Sequence, residues 1–130
     1  MKSMFLFLCA VCAFAGVALG AFGAHGLRKT LAPEMMAVYQ TGVTYQLWHA
    51  LGLGLIALLS SRARASKLLS WAGWLMFIGI VMFSGSLYLL AIMGVKWLGM
   101  VTPFGGVAWL LAWLLIAVYA LKSNEDQDHA

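Results

Sequence analysis

Few side chains in this sequence could take part in chemistry, and most of them lie inside apolar segments. The candidates for a polar site are five residues: His25, Gln46, His49, Ser84 and Tyr88. Gln46 and His49 are three residues apart, so they share one face of a helix. Their polar atoms would cost several kcal/mol if they lay unpaired in hydrocarbon. We therefore expect this face to point into a bundle, with Ser84 and Tyr88, one turn apart, as its partners.

These residues fit two interpretations. In the first, they form a functional polar site in the outer half of the bundle, with Tyr45 as a further member. In the second, they make hydrogen bonds between helices that fix the helix register, each contributing about 1 kcal/mol. In both, we expect His49 to be a neutral imidazole that bonds a side chain in the segment from Ser84 to Tyr88.

The sequence predicts no catalytic, cofactor-binding or metal-binding residues, and hence no enzyme. His25 ends its apolar segment, whereas His49 lies roughly 9 Å deeper in its own, so the two do not suit a shared haem or metal. Glu34 is the one acid before the tail, and no Gly-x-Ser-x-Gly motif is present. Cys9 and Cys12 form a Cys-x-x-Cys pair in an apolar helix, where the reactive thiolate is disfavoured.

The composition indicates a membrane protein. Of the 130 residues, 64% are hydrophobic and 9% charged, and the mean hydropathy is +0.94. A soluble domain carries about 25% charged residues, so a water-soluble fold could not hide this much apolar surface. No basic stripe or basic helix is present, which excludes a nucleic-acid partner.

Four apolar segments are long enough to cross a bilayer as helices. We place them at about 4–24, 33–60, 68–93 and 103–121, with a polar tail at 122–130, in one membrane domain spanning 1–130. Pro33 and Pro103 suit the first turns of the second and fourth helices, where a missing N–H costs nothing. The predicted fold is all-α, a four-helix transmembrane bundle.

Small residues indicate where the helices pack. In the first segment, Cys12, Gly16, Gly20 and Ala24 recur at every fourth position and lie in one row. Such rows let backbones approach closely in a bilayer, where lipid supplies no hydrophobic drive for association. The predicted packing positions are glycines from all four segments: Gly16, Gly20, Gly23, Gly42, Gly85, Gly105 and Gly106.

The basic residues predict the orientation. With four spans and both termini cytoplasmic, the inside holds Lys2, Arg62, Arg64, Lys67 and Lys122. The outside then holds Arg28, Lys29 and Lys96. This excess of Lys and Arg on the inside is typical of cytoplasmic loops.

Four motifs, in order along nearly the whole chain, resemble those of the YgdD-like family of small bacterial inner-membrane proteins. They are Gly20-Ala21-Phe22-Gly23-Ala24-His25, Gln40-Thr41-Gly42 with Tyr45-Gln46 and His49, Phe83-Ser84-Gly85-Ser86-Leu87-Tyr88, and Thr102-Pro103-Phe104-Gly105-Gly106. The resemblance implies four transmembrane helices and an inner-membrane location. It implies no activity, because none is established for that family.

We therefore expect a multi-pass protein of the bacterial inner (plasma) membrane without catalytic chemistry, which supports membrane integrity or a partner complex. The alternative is a binder or carrier of a small molecule, lipid or quinone, which would use a polar pocket between helices. Membrane lipids are the expected partners, with a homo-oligomer or a membrane-protein partner left open. No cofactor is expected.

Overall fold

The computed structural model describes residues 3–62 and 66–128, and within them it is helical throughout apart from short connections. The four long helices are α1 Met4–Leu27, α2 Pro33–Arg62, α3 Lys67–Met93 and α4 Thr102–Asp128. A short 3₁₀ helix, Lys96–Met100, connects α3 to α4. Each of the four chain segments that contain these helices is long and apolar enough to cross a membrane. The predicted all-α, four-helix transmembrane bundle is confirmed.

Local side-chain and backbone chemistry sets several of the helix ends. The Ser3 hydroxyl accepts a hydrogen bond from the Leu6 N–H at 3.2 Å, which caps α1. Ser66 caps α3 in the same way, through the Leu69 N–H at 3.5 Å. Helix α2 begins at Pro33, and α3 ends at Gly94, whose φ of 69° is a left-handed conformation suited to glycine.

Two helices contain a wider π-helical turn, at Gly23–Leu27 in α1 and at Ile80–Ser84 in α3. Such turns are rare and often lie beside functional sites. The second one carries Phe83 and Ser84, which contact α4 and α2 respectively.

The end of α4 differs from the prediction. We placed a polar tail after residue 121, but the helix continues to Asp128. The segment from Lys122 to Asp128 contains no glycine or proline to interrupt the backbone hydrogen bonds, so the helix extends beyond its apolar part. Lys2 and Arg64, which belong to the predicted inside charges, lie outside the described residues.

Helix α1 packs along α2 through its small residues, as predicted. A Cβ at Gly16 would lie 2.7 Å from Leu47 Cδ2, and one at Gly20 would lie 3.3 Å from Val43 Cγ1. At Gly23, a Cβ would overlap the ring of Tyr39. At these three glycines α1 lies close to α2.

The predicted row in α1 is wrong at its end, because Ala24 is exposed while Gly23 and Leu27 are buried. Residues four apart advance by about 400°, so a row with that spacing drifts by about 40° each turn. By Ala24 the drift from Cys12 is about 120°, which turns this residue away from α2.

Helix α3 packs on α4, again with glycines against large side chains. A Cβ at Gly105 would lie 2.5 Å from the backbone nitrogen of Phe83, and one at Gly79 would overlap the indole of Trp109. Gly42 of α2 meets the Tyr88 ring of α3, with a distance of 2.8 Å from its ideal Cβ to Cε1. Gly106 is less tightly packed, since its Cβ would lie 3.9 Å from Phe83 Cδ2.

Gly85 does not pack as predicted. Among residues 3–62 and 66–128, no other side chain or helix comes within 4 Å of the position that its Cβ would take. The buried row of α3 runs through Ile80, Ser84, Leu87 and Ala91, and Gly85 is turned about 100° away from its neighbour in that row. Conversely, Gly73, which was not predicted as a packing position, lies directly against the ring of Phe5.

The buried side chains form two clusters. The larger one contains residues of all four helices and extends from the Arg62 and Lys67 end of the bundle to its middle. It consists of Cys12, Ala50, Leu53, Ile56, Leu69, Ala72, Met76, Ile80, Trp109 and Ala112. The smaller one lies towards the opposite end and consists of Leu27, Tyr39 and Ala91. Of the polar candidates, Gln46, His49, Ser84 and Tyr88 lie between the two clusters, and His25 does not.

Candidate functional site

Gln46 is the centre of a three-helix contact that we call the Gln46 junction: the Cys12 carbonyl, the Gln46 amide and the Tyr88 hydroxyl. Gln46 Nε2 donates to the Cys12 carbonyl oxygen at 2.8 Å, and Tyr88 Oη donates to Gln46 Oε1 at 2.5 Å. The Cys12 carbonyl can only accept a hydrogen bond, so it must face the NH₂ group of Gln46, and the amide oxygen then faces Tyr88. The two partners together fix the orientation of the Gln46 amide. Gln46 is 5% exposed. The junction therefore ties α1, α2 and α3 together in the interior.

Other buried polar groups near the junction are also paired between helices. The Ser84 hydroxyl of α3 donates to the Gly42 carbonyl of α2 at 2.7 Å. The Tyr39 hydroxyl of α2 donates to the Leu19 carbonyl of α1. Each of these bonds joins a side chain to the backbone of a neighbouring helix, so each one fixes the register of a helix pair.

His49 lies one turn further along α2 and makes two hydrogen bonds. Its Nδ1 lies 2.7 Å from the Tyr45 carbonyl oxygen, and Trp113 Nε1 donates to His49 Nε2 at 3.1 Å. An indole N–H can only donate, so Nε2 must accept and the proton must be on Nδ1, facing the carbonyl. Both bonds are satisfied by one tautomer of the neutral imidazole.

The predicted partner of His49 is therefore wrong in part. The imidazole does bond a side chain of another helix, but that side chain is Trp113 of α4 and not one between Ser84 and Tyr88. Positions three apart on a helix are rotated by about 60° from each other, so His49 faces α4 while Gln46 faces α1 and α3.

His25 does not belong with the other four candidates. It is exposed on α1, whereas the buried positions around it are Gly23 and Leu27. Each of these is two residues away and thus about 200° around the helix. The structure brings together Gln46, Ser84 and Tyr88, places His49 beside them, and leaves His25 outside.

The His49 ring is held in a stack of aromatic side chains. It lies parallel to the Trp109 indole, with centroids 3.7 Å apart and an interplanar angle of 6°. The Tyr45 ring is also nearly parallel to Trp109, at 6.0 Å and 14°. Trp109 Nε1 donates to the Met76 carbonyl oxygen at 3.0 Å, which anchors the indole to α3. The stack thus has a fixed orientation.

On its lipid-facing side this stack borders an open groove between α2 and α4, which we call the aromatic groove. Its volume is about 480 Å³, and it is lined mainly by Thr41, Tyr45, His49, Phe83, Gly106, Trp109 and Trp113. Tyr45 is 42% exposed and Trp113 40% exposed, whereas His49 is 6% exposed. The volume falls in the range of about 300–1,000 Å³ that is typical of small-molecule sites.

The buried polar side chains of the described residues are engaged with protein partners. In the ranges 3–62 and 66–128, each buried side-chain nitrogen or oxygen has a hydrogen-bond partner. Over the same residues, no group of three or more His, Cys, Asp or Glu side chains could hold a metal ion. The His49 nitrogens are both engaged, so the imidazole has no lone pair left to act as a base.

The position of Phe83 beside the groove and the contacts of His49 with Trp109 and Trp113 were not predicted from the sequence. A signal was present, because Gly105, Trp109 and Trp113 follow one another at intervals of four on the fourth segment. That spacing places them on one helix face. It does not say which face of α2 they would meet.

Four apolar helices, held together by polar side chains that bond across them, define a small helical integral membrane protein. The chain belongs to the family described as "Protein of unknown function (DUF423)", whose model matches residues 19–106. This confirms the prediction of an uncharacterised membrane-protein family.

The relatives carry names of the same kind. The UPF0382 membrane protein YwdK of Bacillus subtilis is 46% identical over 119 residues, which cover 92% of this chain and 97% of the relative. UPF0382 membrane proteins of Staphylococcus epidermidis and Staphylococcus haemolyticus are 45% and 42% identical over the same length, which is 96% of each relative. No solved structure matches the chain significantly.

Proposed function

We propose that the protein is a non-enzymatic scaffold of the bacterial inner membrane, which supports membrane integrity or a partner complex. The main support for this proposal is the Gln46 junction, because its polar groups form hydrogen bonds that hold three helices in register. A catalytic site would need a polar atom left for the substrate, and the buried ones in the described residues are paired with one another.

Native mass spectrometry of the protein released gently from the membrane tests this proposal. A scaffold should retain a stoichiometric protein partner or a defined homo-oligomer. A bare monomer under conditions that preserve known membrane complexes would contradict the scaffold proposal.

We further infer that both termini are cytoplasmic. Arg62, Lys67 and Lys122 lie at one end of the bundle, close to the start of α1. Arg28, Lys29 and Lys96 lie at the other end. The basic loop between α2 and α3 has the composition of a cytoplasmic loop. The four motifs also favour the YgdD-like family and its inner-membrane location.

Cysteine labelling and a reporter fusion test the orientation. In a variant with Cys9 and Cys12 replaced by alanine, Arg28→Cys should react with a membrane-impermeant maleimide in whole cells. The matched Ser61→Cys, which is exposed at the opposite end of α2, should react only after the membrane is opened. A reporter fused after Ala130 should be active in the cytoplasm, and a periplasmic signal would overturn the orientation.

We propose a second candidate function, which is the binding of a small apolar molecule in the aromatic groove. The observation that favours it is a groove of about 480 Å³ with exposed tyrosine and tryptophan rings on the lipid-facing side. Native mass spectra should then show a bound small molecule in the wild type that is missing from Gly106→Leu. Identical spectra without any such adduct would contradict this second candidate.

A further inference from the structure

The hydrogen-bond donors around the aromatic groove are almost all in use. Trp113 Nε1 donates to His49 Nε2, and Trp109 Nε1 donates to the Met76 carbonyl. The proton on His49 Nδ1 faces the Tyr45 carbonyl, and Thr41 Oγ1 donates to the Ala37 carbonyl. None of these donors is free for a molecule in the groove.

The Tyr45 hydroxyl is different. Its ring lines the groove and is 42% exposed, and no residue in the described part of the chain accepts a hydrogen bond from it. Tyr45 lies twelve residues into α2, which is about 18 Å along the helix. It also lies four residues, or about 6 Å, before His49, towards the Pro33 end of α2. The groove thus offers one donor that lacks a protein partner.

The charge of the groove narrows the class of ligand. No lysine or arginine among residues 3–62 and 66–128 lines it, so none of these residues would pair there with the phosphate of a phospholipid headgroup. Its walls are ring faces and aliphatic side chains, including Val107 and Leu110 on the side that faces lipid. A neutral, flat and apolar molecule fits this lining better than a charged one.

We propose that the aromatic groove binds an isoprenoid quinone, whose planar ring stacks beside Tyr45 and Trp113 and whose carbonyl oxygen accepts a hydrogen bond from Tyr45 Oη. The apolar tail leaves through the lipid-facing opening. This inference rests on the second proposed function, binding in the groove, and specifies its ligand. It concerns binding alone, with no electron transfer.

Tryptophan fluorescence provides the test, because quinones quench indoles at contact and Trp109 and Trp113 both line the groove. The protein is reconstituted in phosphatidylcholine nanodiscs and titrated with a benzoquinone that carries a decyl chain. We expect saturable quenching in the wild type. Tyr45→Phe keeps the ring and loses the donor, so it should weaken binding about three- to tenfold.

Gly106→Leu should abolish the saturable phase by filling the groove. A Cβ at Gly106 would make only an ordinary contact, 3.9 Å from Phe83 Cδ2, so the variant should fold. Gly85→Leu and Tyr119→Phe are matched controls, because neither residue lines the groove, and both should bind like the wild type. Equal quenching in all five proteins would mean partition into the bilayer and would overturn the inference.

A parallel titration uses phosphatidylcholine with brominated chains. It distinguishes a wrong ligand assignment from a failure of the groove to bind any molecule. If the brominated lipid quenches saturably, loses this in Gly106→Leu and is not displaced by the quinone, the groove binds lipid chains and the quinone assignment is wrong. If neither quencher shows a saturable phase that depends on Gly106, binding in the groove itself is refuted.

Discussion

The Gln46 junction and the aromatic groove lie on different faces of the same stretch of α2, yet they use polar residues in opposite ways. In the junction, Gln46 is 5% exposed and bonds both neighbouring helices. In the groove, Tyr45 is 42% exposed and its hydroxyl has no acceptor among the described residues. A polar side chain in a membrane helix thus holds the fold where other helices cover it, and keeps its hydrogen-bonding group unused where they do not.

Glycines account for much of this difference. On the junction side, Gly16 and Gly42 bring α1 and α3 close to α2, with ideal Cβ distances of 2.7 and 2.8 Å to Leu47 and Tyr88. On the groove side, Gly106 leaves space beside Phe83. Close approach excludes lipid from the junction, and the missing side chain at Gly106 keeps the groove open.

The largest effect is expected where a glycine lies directly against the backbone of another helix. Gly105→Ala would place a Cβ 2.5 Å from the backbone nitrogen of Phe83, and backbone cannot rotate aside as a side chain can. We expect a loss of about 3 kcal/mol in the free energy of unfolding, the upper end for overpacking. Gly106→Ala is the neighbouring control and should change it by less than about 0.5 kcal/mol. Equal stability of the two variants in detergent would contradict the tight α3–α4 contact.

The junction is broken by Gln46→Leu. This change removes two hydrogen bonds and leaves the half-buried Tyr88 without its acceptor. The expected cost is about 1–3 kcal/mol in unfolding free energy. Gln40→Leu, on the exposed side of α2, should have little effect. If both substitutions are neutral in chemical denaturation, the junction does not hold the helices.

The packing of α1 is tested by Gly20→Leu. A Cβ there would lie 3.3 Å from Val43 Cγ1, a flexible side chain, so part of the strain can relax. We expect about 1–2 kcal/mol of destabilisation, within the range for overpacking, and a smaller loss for Gly20→Ala. An unchanged thermal midpoint for Gly20→Leu would show that α1 does not pack through this row.

His49 lies at the border of the two regions, and its substitution should have the smallest effect. His49→Leu removes the acceptor of Trp113, but that indole is 40% exposed and can turn to another partner. We expect a loss of about 1 kcal/mol. His49→Gln keeps an acceptor and should be milder, and His25→Gln on the exposed face of α1 should be neutral. Loss of a cellular phenotype in both His49 variants, with abundance retained, would instead mean that the imidazole itself is needed.

The sequence was sufficient to predict what depends on length and hydropathy. The four helices follow from apolar segments long enough to span a bilayer. The inward face of α2 follows from the cost of leaving Gln46 and His49 unpaired. The close approaches at Gly16, Gly20 and Gly42 follow from the small side chains on faces that must meet another helix.

The partners of these faces could not be predicted, because spacing along one helix says nothing about the rotation of the next. His49 was therefore assigned to the wrong partner segment, and Gly85 was expected to pack against a helix, whereas Gly79 of the same helix makes such a contact, with Trp109. His25 lies only two residues from buried positions, yet faces the other way. The groove depends on the gap between α2 and α4, for which the sequence has no signal.

The most direct test measures stability and quinone quenching on the same two variants. The account predicts that Gln46→Leu lowers the thermal midpoint but leaves quenching per folded molecule unchanged. Gly106→Leu should do the reverse, with a midpoint like the wild type and no saturable quenching. If both variants lose both properties, or if Gln46→Leu alone loses the quenching, the division between a structural junction and a binding groove is wrong.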